Sequence, residues 1–208
     1  VREGFHVFTV VPKLPPELKA LEELAYNLLF AWNLEIGRLF RRFPEDLWVE
    51  TYHNPVLMIS RLSQTRFEEF AKDEAFLAHL ERTYRVFREY MEQPAFELKN
   101  VPSDMMIAYF SMEYGVTDCM PFYFGGLGIL AGDTLKSASD LNLPLVGVGL
   151  LYQYGAFRQR VTATGEQIET IPELDFYHLP IRLLKDRNGD PLLVSISVDH
   201  QNLYAQIW

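Results

Sequence analysis

The apolar positions of this chain change their spacing twice, and each change marks a new kind of element. Up to residue 93 they recur at helical intervals. Pro15-Pro16 opens a helix, where proline is tolerated because the first-turn N–H groups are unpaired, and Leu18, Leu21, Leu24, Ala25, Leu28, Leu29 and Trp32 form its stripe. A second helix carries Ile36, Leu39 and Phe40 and ends at Pro44. Asn54-Pro55 starts a third, with Val56, Leu57, Ile59 and Leu62 inward. The clearest helix spans residues 73–93: Phe76, Leu80, Tyr84, Phe87 and Met91 share a face, Glu81, Arg85, Arg88 and Glu92 leave it, and Pro94 stops it. An aromatic stripe at this spacing reads as core rather than as a sugar platform. Ahead of these helices, Phe5 to Val11 reads as a short strand ended by Pro12.

The spacing next becomes two continuous runs around a helix. Ile107-Ala108-Tyr109-Phe110 is suited to a buried strand, and Leu145-Val146-Gly147-Val148-Gly149-Leu150-Leu151 to a parallel strand covered on both faces. Between them, Gly125-Gly126-Leu127-Gly128 opens a helix whose apolar positions are Leu127, Leu130, Ala131, Leu135, Ala138 and Leu141. Asn142 and Pro144 stop it. This is a βαβ unit. From residue 156 the period falls to two: residues 156–161 and 167–171 read as a hairpin about Thr164-Gly165. Residues 180–184 are expected to pair with 192–198 across Asn188-Gly189-Asp190, and 201–208 form a further strand. The predicted organisation is 1–93, a strand and helical region packed on the sheet; 94–104, a linker; and 105–208, a sheet domain.

The glycines before the helix admit two readings. Unpaired N–H groups and the helix dipole favour negative charge at a helix N-terminus, and glycines let a phosphate or sugar come close to that backbone. Alternatively they serve a tight turn and close helix–sheet packing. Gly126, Gly128 and Ala131 also match the spacing of a dinucleotide fingerprint. The strand after the helix, however, runs into Tyr152-Gln153-Tyr154-Gly155 with no carboxylate for a ribose, so NAD is not expected.

Composition narrows the function. The 208 residues are 49% hydrophobic and 23% charged, ordinary for a globular protein. A formal charge of −9 argues against a nucleic-acid partner. The single cysteine, Cys119, forbids an intrachain disulfide and fits a reducing cytoplasm. No run of about 20 apolar residues suggests a membrane span. The five histidines show no metal-ligand spacing, so no metal is expected. Cys119 reads as a small buried hydrophobe rather than a nucleophile. Glu113 stands just past the carboxyl end of the first sheet strand, where open α/β sheets place ligands. It is either a site carboxylate or a loop carboxylate paired with an arginine such as Arg158.

Several of these stretches together carry a resemblance. Tyr109 to Gly115, Gly125 to Asp133, Leu135 to Leu141 and Gly155 to Gln159 resemble the N-terminal domain of α-glucan (glycogen/maltodextrin) phosphorylases, the shorter prokaryotic branch most closely. Upstream, Leu24 to Leu28, Ala31-Trp32-Asn33, Leu47-Trp48 and His53 to Val56 resemble the helical start of that branch. The resemblance implies an α/β fold: an N-terminal helical region plus the Rossmann-like first domain of a GT-B type glycosyltransferase, incomplete here. It implies phosphorolysis of α-1,4-glucan by inorganic phosphate to glucose 1-phosphate, with pyridoxal phosphate acting through its phosphate group. Carried over by position, the backbone N–H groups of Gly125, Gly126 and Leu127, with Gly128 beside them, face the transferred glucosyl unit and phosphate.

Phe124 and Thr134 depart from the family's usual residues, and no lysine lies in a segment resembling the cofactor-lysine motif. The catalytic set is therefore incomplete, and this chain by itself is expected neither to hold the cofactor covalently nor to turn over substrate. The abrupt end at Trp208 suggests a piece of a larger protein, and an uncovered domain face is expected to drive association, a homo-oligomer included. Two alternatives remain. One is a glycogen or starch synthase, which also resembles Gly-Gly-Leu-Gly but near its N-terminus. The other is a stand-alone glucan-binding or regulatory module using Tyr152, Tyr154 and Phe157.

Overall fold

The structure is a computed structural model that describes residues 12–94, 96, 102, 104–122, 125–199 and 201–208. The chain forms two compact units, Val1–Gln93 and Pro94–Trp208. The expected strand at residues 5–11 and most of the expected linker lie outside the described residues.

The described part of the first unit is helical. It comprises α1 (Ala20–Tyr26), α2 (Leu34–Phe40), α3 (Glu45–Glu50), α4 (Pro55–Arg61), α5 (Gln64–Phe70) and α6 (Glu74–Met91). Polar caps place four of the starts: Asn33, Asn54, Ser63 and Asp73 each accept a backbone N–H from the first turn of α2, α4, α5 and α6. Each such cap is worth about 1 kcal/mol. Leu18, Leu21, Leu24, Phe40, Phe67 and Phe76 are fully buried, and Phe43 packs between Phe70 (4.8 Å) and Phe76 (5.5 Å).

The helix expected from Pro16 to Trp32 is broken. 3-10 turns at Pro16–Leu18 and Leu28–Ala31 flank the short α1. Asn27 is extended and its side chain accepts the Leu29 N–H, a local bond that competes with helix continuation. Short α3 and α5 were not evident from the apolar spacing. On α6, Met91 is exposed rather than inward, because the last turn runs past the Phe87 layer and its sulfur meets Asn27 Nδ2 at 3.6 Å. Thr83 takes a buried place between Leu80 and Phe87 instead.

In the second unit, β1 (Ile107–Phe110), α7 (Gly126–Asp140) and β2 (Leu145–Val148) form the βαβ unit. β1 and β2 are parallel, with Ile107 opposite Leu145 and Phe110 opposite Val148. β3 (Arg158–Val161) and β4 (Gln167–Thr170) make the expected antiparallel hairpin. β5 (Leu193–Val198) pairs antiparallel with β6 (Gln201–Gln206). Residues 180–184 were expected to be the partner of 192–198, but that pairing is confined to the Leu192 N–H bond to Leu184 and a Lys185–Pro191 bridge. The tight turn at Asp199 joins β5 directly to β6, and adjacent strands win the ladder. The described strands thus form three two-stranded sheets.

Two burial expectations are corrected. Phe110, Val146 and Val148 are exposed, so the β1–β2 pair is not covered on both faces: a two-stranded sheet with one crossover helix has cover for one face only. The helix stripe is covered on its small-residue side alone. Gly128, Ala131, Gly132 and Ala138 are buried, whereas Leu127, Leu130 and Leu141 are exposed.

Candidate active site

The site is built where β1 and β2 end. Beyond Phe110, the Ser111 N–H donates to the Val148 carbonyl (3.1 Å), carrying the ladder one residue further. Ser111 Oγ then donates to the Glu113 carbonyl (2.8 Å), which turns the chain. The Tyr114 N–H donates to the Phe122 carbonyl (3.2 Å), and Tyr152 Oη donates to the Met112 carbonyl (3.1 Å). Tyr114 Oη donates to the Tyr109 carbonyl (2.6 Å), with the Val148 carbonyl also in reach at 3.3 Å. Burial pushes that phenol above its usual value of 10. Next in sequence, the Gly115 N–H donates to the Gly128 carbonyl (2.8 Å) in the first turn of α7.

The glycines of this region sort into two kinds. A Cβ built at Gly132 falls 2.3 Å from the Gly115 oxygen, and one at Gly115 falls 3.2 Å from the Gly128 carbonyl carbon and oxygen. Cβ atoms at Gly147 and Gly149 meet Leu135 (2.9 Å) and the Tyr114 ring (2.8 Å). These four are packing glycines. Gly125 and Gly126 are different: a Cβ at either meets nothing within 4 Å. Gly125 has φ +142° and ψ −150°, a conformation open essentially to glycine alone, and it forms the N-cap of α7. Close packing therefore accounts for the first four glycines and not for Gly125 and Gly126.

Of the sequence-predicted site residues, Gly125 is the cap and Gly126, Leu127 and Gly128 are the first three residues of α7. The first backbone bond of this turn is Ile129 N–H to the Gly125 carbonyl (3.2 Å), so the N–H groups ahead of it have no intrahelical acceptor. Among the described residues no side chain caps them. Leu127 points an exposed side chain outward, and Gly128 is buried with its carbonyl held by Gly115. Glu113 is half-buried, two residues before the Gly115 contact, so it lies on the segment fastened to the same turn. Its carboxylate makes no hydrogen bond or ion pair among the described residues, and the pairing with Arg158 is not found. Thr134 bonds back along its own helix to the Leu130 carbonyl (2.7 Å); Phe124 lies outside the described residues.

The donor set of this turn is neutral. Between Ile107 and Phe157 the only Lys, Arg or His is Lys136, on the third turn of α7. An anion here would meet backbone dipoles and no nearby cation from the same stretch. Cys119 is buried, its thiol pushed up to about 11 by burial, and it contacts Thr117 Oγ1 at 3.6 Å; that environment suits a packing residue. Among the described residues no group of three metal-ligating side chains gathers, and no helix is long and apolar enough to cross a membrane.

Sequence reasoning passed over Tyr114, Gly115, Gly132, Gly147 and Gly149 as working parts. A signal was present: Gly128 and Gly132, four apart, put two side-chain-free positions on one helix face, which admits close backbone approach.

The family described as protein of unknown function (DUF3417) matches residues 14–120, just over half of the chain. The carbohydrate phosphorylase family matches residues 122–182, the stretch that contains the glycine turn. The chain is 43% identical over 209 residues to a glycogen phosphorylase of Mycobacterium tuberculosis, covering 97% of this chain and 24% of the relative. It is 38% identical to the maltodextrin phosphorylase of Thermococcus litoralis (93% of this chain, 24% of the relative). It is 34% identical to a glycogen phosphorylase of Aquifex aeolicus (91% and 27%). The chain thus spans about a quarter of the length of the curated relatives it matches. No solved structure matches it.

Proposed function

The chain belongs to the DUF3417 family, and on that premise we propose that it is the N-terminal part of an α-glucan phosphorylase. In this reading residues 105–208 belong to the Rossmann-like first domain of a GT-B glycosyltransferase, and residues 94–104 link it to the helical region. The reaction transfers a glucosyl unit from α-1,4-glucan to inorganic phosphate: a phosphate oxygen bonds to the anomeric carbon, the glycosidic bond to O4 breaks, and O4 takes a proton. The observation that carries the proposal is the open, uncapped first turn of α7 inside a segment that matches the carbohydrate phosphorylase family.

The contribution of this chain is preorganised dipoles. The N–H groups of Gly125, Gly126, Leu127 and Gly128 face the phosphate and the departing glucosyl unit, stabilising charge without reorganising at the moment of reaction. Glu113, without a side-chain partner among the described residues and on the segment that Gly115 fastens to this turn, accepts hydrogen bonds from sugar hydroxyls. Pyridoxal phosphate, which the family resemblance implies, does not fit the residues described here. Lys13, Lys19, Lys72 and Lys185 are exposed and Lys136 is half-exposed, so none of them offers an enclosed amine for attachment. The cofactor and the cations that hold it are expected in another part of the enzyme. The expected setting is the cytoplasm, with α-1,4-glucan, inorganic phosphate and glucose 1-phosphate as partners. The uncovered sheet face at Phe110 and Val148 suits association, a homo-oligomer included.

Reading the coding DNA past the Trp208 codon tests the proposal. An in-frame continuation carrying a cofactor lysine is expected; a stop codon would sink it. Purified chain incubated with maltodextrin and phosphate is expected to release no glucose 1-phosphate. The match of residues 122–182 to the carbohydrate phosphorylase family favours the phosphorylase reading over the glycogen or starch synthase one. The stand-alone glucan module is favoured by the exposed rings of Tyr154 and Phe157. Saturable quenching of tryptophan fluorescence by maltoheptaose would move it forward.

A further inference from the structure

We propose that Tyr114 is the positioning residue of this site, setting where the donor N–H groups of the first turn of α7 stand relative to the ends of the sheet. The inference rests on the reading of that turn given above.

The argument starts from what a βαβ crossover leaves undetermined. The parallel pairing holds β1 to β2 but says nothing about how far the N-terminus of the crossover helix stands from the strand ends. In this chain residues 111–125 intervene between strand and helix, too many for a tight turn to set the distance. Something else must fix it, and residues 114 and 115 carry the connections. Tyr114 returns its side chain to the sheet: Oη donates to Tyr109 of β1 (2.6 Å) and lies 3.3 Å from the Val148 oxygen of β2. The one hydroxyl therefore spans the carboxyl ends of both strands. Gly115 turns its N–H the other way, to the Gly128 carbonyl of α7 (2.8 Å). Sheet and helix N-terminus are coupled through two consecutive residues.

The surrounding glycines have the shape this strut requires. A Cβ at Gly149 would lie 2.8 Å from Tyr114 Cε2, and one at Gly147 3.4 Å from its Oη, so the ring is seated where β2 and its continuation lack side chains. On the helix side, Gly132 allows the Gly115 carbonyl to approach within 2.3 Å of where its Cβ would be. Both ends of the strut are cut to fit. Transition-state stabilisation by fixed dipoles depends on their placement to fractions of an ångström, so the strut acts on binding through Gly126 and its neighbours without touching the ligand.

The test uses the 15N-labelled chain titrated with glucose 1-phosphate at a temperature where every variant is fully folded. Wild type is expected to show saturable shifts at the Gly126, Leu127 and Gly128 amides. Tyr114→Phe keeps the ring and loses the hydroxyl bond; Gly149→Ala pushes the ring from its seat. Each is expected to weaken binding about three- to tenfold, the worth of roughly one hydrogen bond. Leu80→Val, a core change in the helical unit, is expected to lower thermal stability and leave the affinity unchanged. If wild type binds and both site variants bind as wild type does, Tyr114 is merely structural and the inference fails while the glycine-turn reading stands. If wild type shows no shift at those amides, the glycine-turn reading fails and takes this inference with it.

Discussion

The two units of this chain solve the problem of burial in opposite ways. In the helical unit, large side chains carry the interior: Phe40, Phe67, Phe76 and Phe87 are all buried to 2% exposure or less. In the second unit, the buried face of α7 is made of Gly128, Ala131, Gly132 and Ala138, and large apolar side chains such as Phe110, Leu130 and Leu193 remain exposed. One unit is filled by side chains; the other is held by backbone approaching backbone. The second arrangement places N–H groups and carbonyls with little slack, which is what a site built from main-chain donors needs.

The largest effect expected from this contrast is in the helical core. Phe76→Ala removes a ring packed on Phe43 (5.5 Å) and Phe70 (4.7 Å) and should cost about 3–5 kcal/mol. Urea unfolding followed through Trp32 and Trp48, both in this unit, should shift accordingly. A loss under 1 kcal/mol would mean that the side-chain core does not carry the unit.

Next in size is a pair of glycine substitutions that separates packing from function. Gly132→Ala sets a methyl 2.3 Å from the Gly115 oxygen and should cost about 1–3 kcal/mol through overpacking. Gly126→Ala meets open space and should be neutral or stabilise by up to about 1 kcal/mol, through reduced freedom of the unfolded chain. Its methyl nevertheless stands beside the donor N–H groups, and glucose 1-phosphate binding should weaken. Equal stability changes in the two melting curves would erase the distinction between the glycines.

A smaller, opposite change is expected at Thr83. Its buried hydroxyl has no hydrogen-bond partner among the described residues, and Thr83→Val should stabilise the helical unit by about 1 kcal/mol. Calorimetry decides; a destabilisation would mean that the hydroxyl has a partner in solution.

The smallest effect is one of pH. Burial holds the His79 imidazole below its usual 6.5, with Glu35 at 3.5 Å opposing that shift. The unfolded chain therefore binds the His79 proton more readily, so stability is full above about pH 6.5 and declines as the pH falls toward the depressed folded value. Glu35, lowered from 4.5 by the hydrogen bond from Arg82, adds a second decline below pH 4.5, as its carboxylate is protonated. His79→Gln should flatten the first slope and leave the second. Unchanged curvature between pH 5 and 7 would remove His79 from the account.

How much of this could be read from the chain depends on the range of the interaction involved. α2, α4, α6, the βαβ unit and the first hairpin follow from spacing and local stops, because the capping Asn54 and Asp73 and the terminating Pro44 and Pro94 act within one turn of the elements they bound. The break at Asn27 was also local, yet the leucines around it keep helical spacing across the interruption and conceal it. Short α3 and α5 offer too few apolar residues to show a period. The partner of β5 was misread because a turn at Asp199 competes with one at Asn188-Gly189, and sequence alone does not rank them. At the site, Gly125 and Gly126 were legible as a helix start. The strut of Tyr114 and Gly115 was not, since its meaning lies in contacts to Tyr109, Val148 and Gly128 that only the fold brings together. The exposed face at Phe110 and Val148 was unreadable for a related reason: an apolar run reports what can be buried, and the covering element is a separate matter.

The central claim is that Gly126, Leu127 and Gly128 present main-chain donors to a phosphate-bearing sugar while Gly115 and Gly132 hold that turn in place without meeting the ligand. Titrating the 15N-labelled chain with glucose 1-phosphate and reading every glycine amide tests it most directly. The account predicts saturable shifts at residues 126–128 with Gly147, Gly149 and Gly155 unmoved. Shifts spread evenly over the glycines, or none at 126–128 up to saturating sugar phosphate, would contradict it.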